Sequence, residues 1–175
     1  MKKLKFVVSL TTDDNDYQIE QAASAKEIAQ RLGVDLEILY AENDAILQSQ
    51  QLLNVIQSRS LPHPDGIIFE PAGGTALSQV ARAAAAAGIG WAILNREVDY
   101  LTDLRRTYKI PVFALTSDHE EIGRIQGKQI AAMLPSGGSV LLVQGPSESL
   151  AARQRTTGMY ETKPINVEVK TMRAN

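Results

Sequence analysis

Apolar runs about as long as a β-strand alternate with stretches of helical period along almost the whole of this chain, and few architectures tolerate that rhythm. It is the pattern of βαβ units, in which the strands lie parallel and the crossovers are helices. Lys5 to Leu10, rich in β-branched and aromatic residues, is the first strand. Between about Tyr17 and Leu32, Ile19, Ala22, Ala23, Ala25, Ile28, Ala29 and Leu32 recur at helical spacing, and Gly33 stands where a left-handed residue closes a helix. Leu36 to Tyr40 is the second strand and Ala45 to Ser58 the second helix. After Pro62 and Pro64, Gly66 to Pro71 is a third strand with a proline stop, and Thr75 to Ala87 is a helix closed by Gly88. Trp91 to Leu94 and Ile110 to Leu115 are the fourth and fifth strands. His119 to Leu134 is a long amphipathic helix, Ser139 to Val143 the sixth strand, Leu150 to Glu161 a helix and Val167 to Met172 the seventh strand.

This arrangement predicts an α/β chain in two parts. Residues 1–117 form a first α/β lobe, and residues 118–175 open a second one that is incomplete, because a parallel sheet needs cover on both faces. Thr116 to Glu120 is the natural boundary, since a strand there runs straight into a new helix. The unpaired strand edges of an incomplete lobe predict self-association into a homo-oligomer.

Composition removes several classes of function. With 18 basic residues against 20 acidic ones the net charge is −2, which lacks the positive field that a nucleic acid or an anionic membrane demands. Cysteine is absent, so thiolate metal sites, iron–sulfur clusters and cysteine nucleophiles are excluded. Two histidines, His63 and His119, leave little for a metal centre, and no cofactor is expected. The opening Met1-Lys2-Lys3 followed by an apolar run imitates a signal peptide. Thr11-Thr12-Asp13-Asp14-Asn15-Asp16 breaks it too early, and a buried strand is the better reading. No segment reaches the roughly 18 apolar residues of a spanning helix.

In an open parallel sheet, ligands bind beyond the carboxyl ends of the strands. That rule selects Thr11 to Gln18, Asn43-Asp44, Glu70 to Thr75, Asn95-Arg96, Thr116 to His119 and Gly145 to Arg155. Strand-end loops are polar simply because they are exposed, so no single residue among them is decisive. Catalytic patterns are wanting: there is no Gly-x-Gly-x-x-Gly after the first strand, no Walker loop and no Gly-x-Ser-x-Gly. Gly73-Gly74 suits a tight turn better than a ligand, and Gly145-Pro146-Ser147 has no histidine in sequence reach to activate its serine. Asp13-Asp14 suggests a phospho-receiver, but that site needs an aspartate after the third strand and a lysine after the fifth. Glu70 and Thr116-Ser117-Asp118 occupy those places.

Four motifs in a fixed order carry a resemblance. They are Asn15-Asp16-Tyr17-Gln18, Asn95-Arg96, Ser117-Asp118 leading into Ile122-Gly123-Arg124-Ile125-Gln126-Gly127, and Gln144-Gly145 followed by Ala151 to Gly158. In these the chain resembles the sugar-type periplasmic binding proteins of ABC transporters, the ribose-binding-protein group, whose fold is shared by the ligand cores of lac-type repressors. The resemblance runs over essentially all 175 residues but over about the first half of a complete member. It implies a type I fold, a Rossmann-like doubly wound parallel sheet of order 2-1-3-4-5, followed by the start of a second lobe.

It also implies a site. Asn15 occupies a polar ligand contact, and Tyr17 and Gln18 match two aromatic positions that stack on a sugar ring. Asn95-Arg96 matches an Asp-Arg pair that bonds sugar hydroxyls, Asp118 starts the hinge crossing, and Arg155 matches an arginine of the second lobe. An apolar sugar face suits Tyr17, and a rim of hydroxyls suits the planar groups of Asn95 and Arg96. Two departures stand out: Gln18 replaces an aromatic and Asn95 replaces an acid. The implied function is non-catalytic binding of a carbohydrate-like small molecule, in the periplasm, for an ABC permease. The alternatives are the ligand core of a repressor lacking its DNA-binding head, and a small Rossmann-like enzyme for which no base–nucleophile pair is visible.

Overall fold

The first strand, β1 (Lys5–Leu10), alternates its side chains between two buried faces, with Val7 on one and Val8 and Leu10 on the other. That two-sided burial is what a central strand of a doubly covered parallel sheet requires. In this computed structural model, which describes residues 2–72, 77–96, 98–145 and 149–173, the chain divides into two compact units, Met1–Thr116 and Ser117–Asn175.

In the first unit β1 is followed by α1 (Asp16–Leu32), β2 (Asp35–Tyr40), α2 (Ala45–Gln57), β3 (Gly66–Phe69), α3 (Ser78–Ala86), β4 (Gly90–Leu94), α4 (Leu101–Thr107) and β5 (Val112–Leu115). The strands form one parallel sheet in the order β2-β1-β3-β4-β5. Helix ends follow the sequence: Asn15 and Asp44 cap α1 and α2 through their side-chain oxygens, and Gly33 ends α1 at φ 66°. The short α4 has no counterpart in the sequence reading. It is seven residues long, and among them only Leu101 and Leu104 are buried, too few to announce a helical stripe.

The larger core lies on one face of this sheet. There Leu52 and Ile56 of α2, Val80 and Ala84 of α3, and Leu101 and Leu104 of α4 pack on Val7, Ile67, Phe69, Trp91 and Ile93. The Phe69 and Trp91 rings meet at 4.5 Å in a tilted pair. A smaller cluster on the opposite face joins Val8, Leu10 and Ala22. At the sheet edge Phe113 and Leu115 of β5 are 50% and 67% exposed.

The second unit holds α5 (His119–Met133), β6 (Gly138–Gln144), α6 (Leu150–Thr162) and β7 (Val167–Arg173), with β6 and β7 paired in parallel. It is ordered as a unit because its two helices meet almost backbone to backbone. A Cβ on Gly123 would strike the Arg155 carbonyl, and one on Gly158 would strike the Glu120 carbonyl. The Thr162 hydroxyl donates to the Arg124 carbonyl at 2.7 Å across this crossing. The Arg124 guanidinium bonds Glu121 at 2.6 Å and Glu161 at 3.0 Å, holding the Glu121 carboxyl below its usual range. Along the strands Leu141, Val143 and Met172 are 62%, 54% and 53% exposed. No helix among the described residues is long and apolar enough to cross a membrane.

Two predictions follow from the packing. Gly158→Ala should destabilise the second unit by about 1–3 kcal/mol, because backbone rather than a flexible side chain must give way; hydrogen exchange of the α5 and α6 amides measures it. Tyr100 is 5% exposed and burial pushes its hydroxyl up to about 12, only partly countered by the Trp91 indole, which lies out of hydrogen-bonding geometry. The folded state thus keeps a proton that the unfolded chain releases near pH 10. This contribution is intact below pH 10 and is lost as pH rises toward 12. Urea titrations should show Tyr100→Phe removing a loss on the order of 2 kcal/mol over that window.

Candidate functional site

Because β3 lies between β1 and β4 in the sheet, the loops leaving their carboxyl ends emerge side by side. Two glutamines buried beneath those loops fix them. Gln48, fully buried on α2, donates to the Ser9 hydroxyl at 3.0 Å and to the Glu70 carbonyl at 2.9 Å, and accepts from the Ala72 N–H at 2.9 Å. Gln18, 2% exposed in the first turn of α1, accepts from the Thr11 N–H at 3.0 Å and donates to the Glu70 carboxylate at 2.8 Å. Each amide thereby ties one helix to the ends of β1 and β3, where the backbone has left the sheet ladder and needs partners.

Above them sits a polar cluster. Asn95 follows β4 in the left-handed region, at φ 61°, a conformation that asparagine tolerates better than most side chains. Its Nδ2 donates to the Tyr17 hydroxyl at 2.7 Å and to Glu70 Oε2 at 2.9 Å. Both amide protons are thus used, and Asn95 Oδ1 remains as an acceptor. The Tyr17 hydroxyl accepts, so its own proton is left to donate, and its ring is 57% exposed. Glu70 Oε2 receives two amide donors, while Oε1 receives none from the described residues. Arg96, half-buried, comes next along the loop and makes no hydrogen bond or ion pair among the described residues.

Of the residues singled out from sequence, Asn15, Tyr17, Gln18 and Asn95 are joined by these bonds. Asn15 spends its Oδ1 as the α1 cap, accepting from the Gln18 N–H at 3.0 Å, which leaves its Nδ2 as its remaining polar group. Gln18 is placed differently from a group that stacks on a ring. It is buried with both ends of its amide engaged, and its position is that of a support under Glu70. Glu70 is the member that sequence reasoning did not name among the ligand contacts, having met it within the Glu70 to Thr75 strand-end loop and as the residue standing where a receiver needs an aspartate. The signal was its position one residue beyond β3.

Asp118 and Arg155 belong to the second unit. Asp118 caps α5, accepting from the Glu121 N–H at 2.9 Å. Arg155, exposed on α6, donates from Nε to His119 Nδ1 at 3.2 Å. It borders a groove of about 340 Å³ shared with Gln144, Gly145, Ser149 and Ala152. Gly73, Gly74, Pro146 and Ser147 lie outside the described residues. Among the described residues no group of three or more histidine, aspartate or glutamate side chains is placed to hold a metal ion.

Residues 6–174 match the family model described as the periplasmic binding protein domain. A Rhizobium meliloti protein named for rhizopine binding is 30% identical over 129 residues, 74% of this chain and 39% of that protein. Among solved structures, an ABC transporter periplasmic solute binding protein from Actinobacillus succinogenes with bound D-allose superposes with a TM-score of 0.85 at 20% identity, covering 98% of this chain and 59% of that one. An ABC transporter solute binding protein from Bacillus halodurans with bound myo-inositol gives a TM-score of 0.78 at 22% identity, over 98% and 56%. The chain spans little more than half the length of these solved relatives and 39% of the curated one. A family match over nearly every residue, with a sheet of order β2-β1-β3-β4-β5, establishes that the chain belongs to the periplasmic binding protein domain family.

Proposed function

We propose that this chain is a ligand-recognising part of a non-catalytic solute-binding protein, and that its ligand is a neutral, polyhydroxylated small molecule of sugar or cyclitol type. The observation that carries the reading is the cluster at the ends of β1, β3 and β4. An exposed aromatic ring there stands beside a phenolic donor, an amide acceptor and a carboxylate, all within two hydrogen bonds of one another. A sugar presents the same combination in reverse, an apolar C–H face edged by hydroxyls that both donate and accept. Asn15 and Arg96 supply further donors from the same loops, and the ligand-contact roles that the resemblance implies for Asp118 and Arg155 are kept as part of the proposal.

Similar solved structures, two of ABC transporter solute binding proteins with D-allose or myo-inositol bound and one of a carbohydrate transporter solute binding protein with D-arabinose, favour uptake over the repressor-core alternative. Delivery to an ABC permease and a periplasmic location complete the proposal. Both rest on family membership.

The test is a titration of the 175-residue chain with D-allose, D-arabinose and myo-inositol, followed by calorimetry and by amide chemical shifts. Saturable binding with shifts at Tyr17, Asn95 and Arg96 is expected, and Arg96→Ala should weaken it about tenfold or more. If Arg96→Ala binds as tightly as the parent, or if no such ligand saturates, the reading is wrong.

A further inference from the structure

We infer that Glu70 is the specificity-determining residue of this site: its carboxylate is the acceptor that takes a ligand hydroxyl, with Gln18 and Asn95 as the two amides that aim it. The inference rests on the sugar-binding reading above and goes beyond it by assigning the acid.

The argument begins with the bonds already made. A carboxylate offers about four lone-pair sites, and the two amide protons that reach Glu70 both fall on Oε2. Oε1 receives no donor from the described residues and keeps its lone pairs for one. A ligand hydroxyl can supply that donor, and its own oxygen then stands ready for a donor such as the Tyr17 phenol, whose proton the Asn95 contact leaves unspent.

The surroundings point the same way. The Glu70 main chain is clamped on both sides, its N–H donating to the Ser9 carbonyl at 3.0 Å and its carbonyl accepting from Gln48. Its side chain is clamped by Gln18, a glutamine buried to 2% exposure, and by Asn95, a residue held in the left-handed region. Burying an amide and holding a non-glycine residue at positive φ both cost free energy. Here both converge on one carboxylate oxygen. That convergence is the support structure of a preorganised acceptor.

The substitution Glu70→Gln is suited to the test, because its amide oxygen can still accept from Gln18 and Asn95 while its NH₂ replaces the free acceptor with a donor. The probes are D-allose, D-arabinose and myo-inositol, and then the monodeoxy series of whichever binds most tightly. Glu70→Gln should weaken the parent ligand about tenfold or more. One monodeoxy analogue, the one lacking the hydroxyl that Glu70 receives, should bind equally to both proteins. Equal affinity of both proteins for every ligand overturns the assignment, and so does a uniform loss across the whole series, which is the mark of a purely structural role. Should Glu70→Gln not fold, the carboxyl ¹³C resonance of Glu70 in the unaltered chain decides. It should move on saturation with the parent ligand, and no movement overturns the assignment. Failure of the unaltered chain to bind any of the three sugars removes the sugar-binding reading and this assignment together. Binding that is indifferent to Glu70 removes the assignment alone.

Discussion

Two buried glutamine amides hold together the part of this molecule that matters most. A parallel sheet satisfies its backbone internally, but the ladder stops at the carboxyl ends of the strands, where the chain must turn into a helix. At those ends Gln48 bonds Ser9, Glu70 and Ala72, and Gln18 bonds Thr11 and Glu70. Water cannot substitute, because both side chains are buried. Each amide has a donor end and an acceptor end, so each fixes two strand ends at once and leaves them little room to slide. A hydroxyl or a charged group in either place lacks that two-ended geometry.

The same economy of contact shapes the second unit by a different means. There the helices α5 and α6 have no large side chains at their closest point. Gly123, Gly127 and Gly158 let the backbones approach, and Thr162 and Arg124 bridge them. A two-stranded sheet offers little area to bury, and Leu141, Val143 and Met172 keep one set of its side chains in solvent. Close helix contact therefore contributes a larger share of this unit's cohesion than it does in the first, where sheet burial dominates.

What was legible in the sequence follows from these differences. Strands and long helices were legible because their apolar periods are strong, and β1 and the left-handed end of α1 at Gly33 can be read to the residue. The short α4 was not, since two buried leucines make no period. The buried glutamines were half legible. Gln48 precedes Leu52 and Ile56 at intervals of four, and Gln18 precedes Ala22 by the same step, so helical spacing places both on the inward stripe. A polar residue on such a stripe is a demand for partners, and those partners are distant in sequence: 39 residues from Gln48 to Ser9, and 52 from Gln18 to Glu70. Sequence spacing reveals the demand but not what meets it, which is why Gln18 reads as a ligand-contact position until the structure shows its amide engaged by Thr11 and Glu70.

Glu70 illustrates the remaining limit. A carboxylate one residue past a central strand is unremarkable by itself, and the motifs that carry the family resemblance do not include it. Its meaning comes from neighbours contributed by β1 and β4, which only the strand order brings alongside. Once that order is fixed, the chemistry is constrained from both sides. Asn95 must turn its NH₂ toward an anion, which exposes its carbonyl oxygen, and Tyr17 must accept from that NH₂, which frees its proton. The orientation of the Asn95 amide, and through it the free proton of Tyr17, thus follows from the carboxylate at Glu70. The Gln18 and Asn15 amides are set independently, by the Thr11 and Gln18 backbone N–H groups that their oxygens accept from.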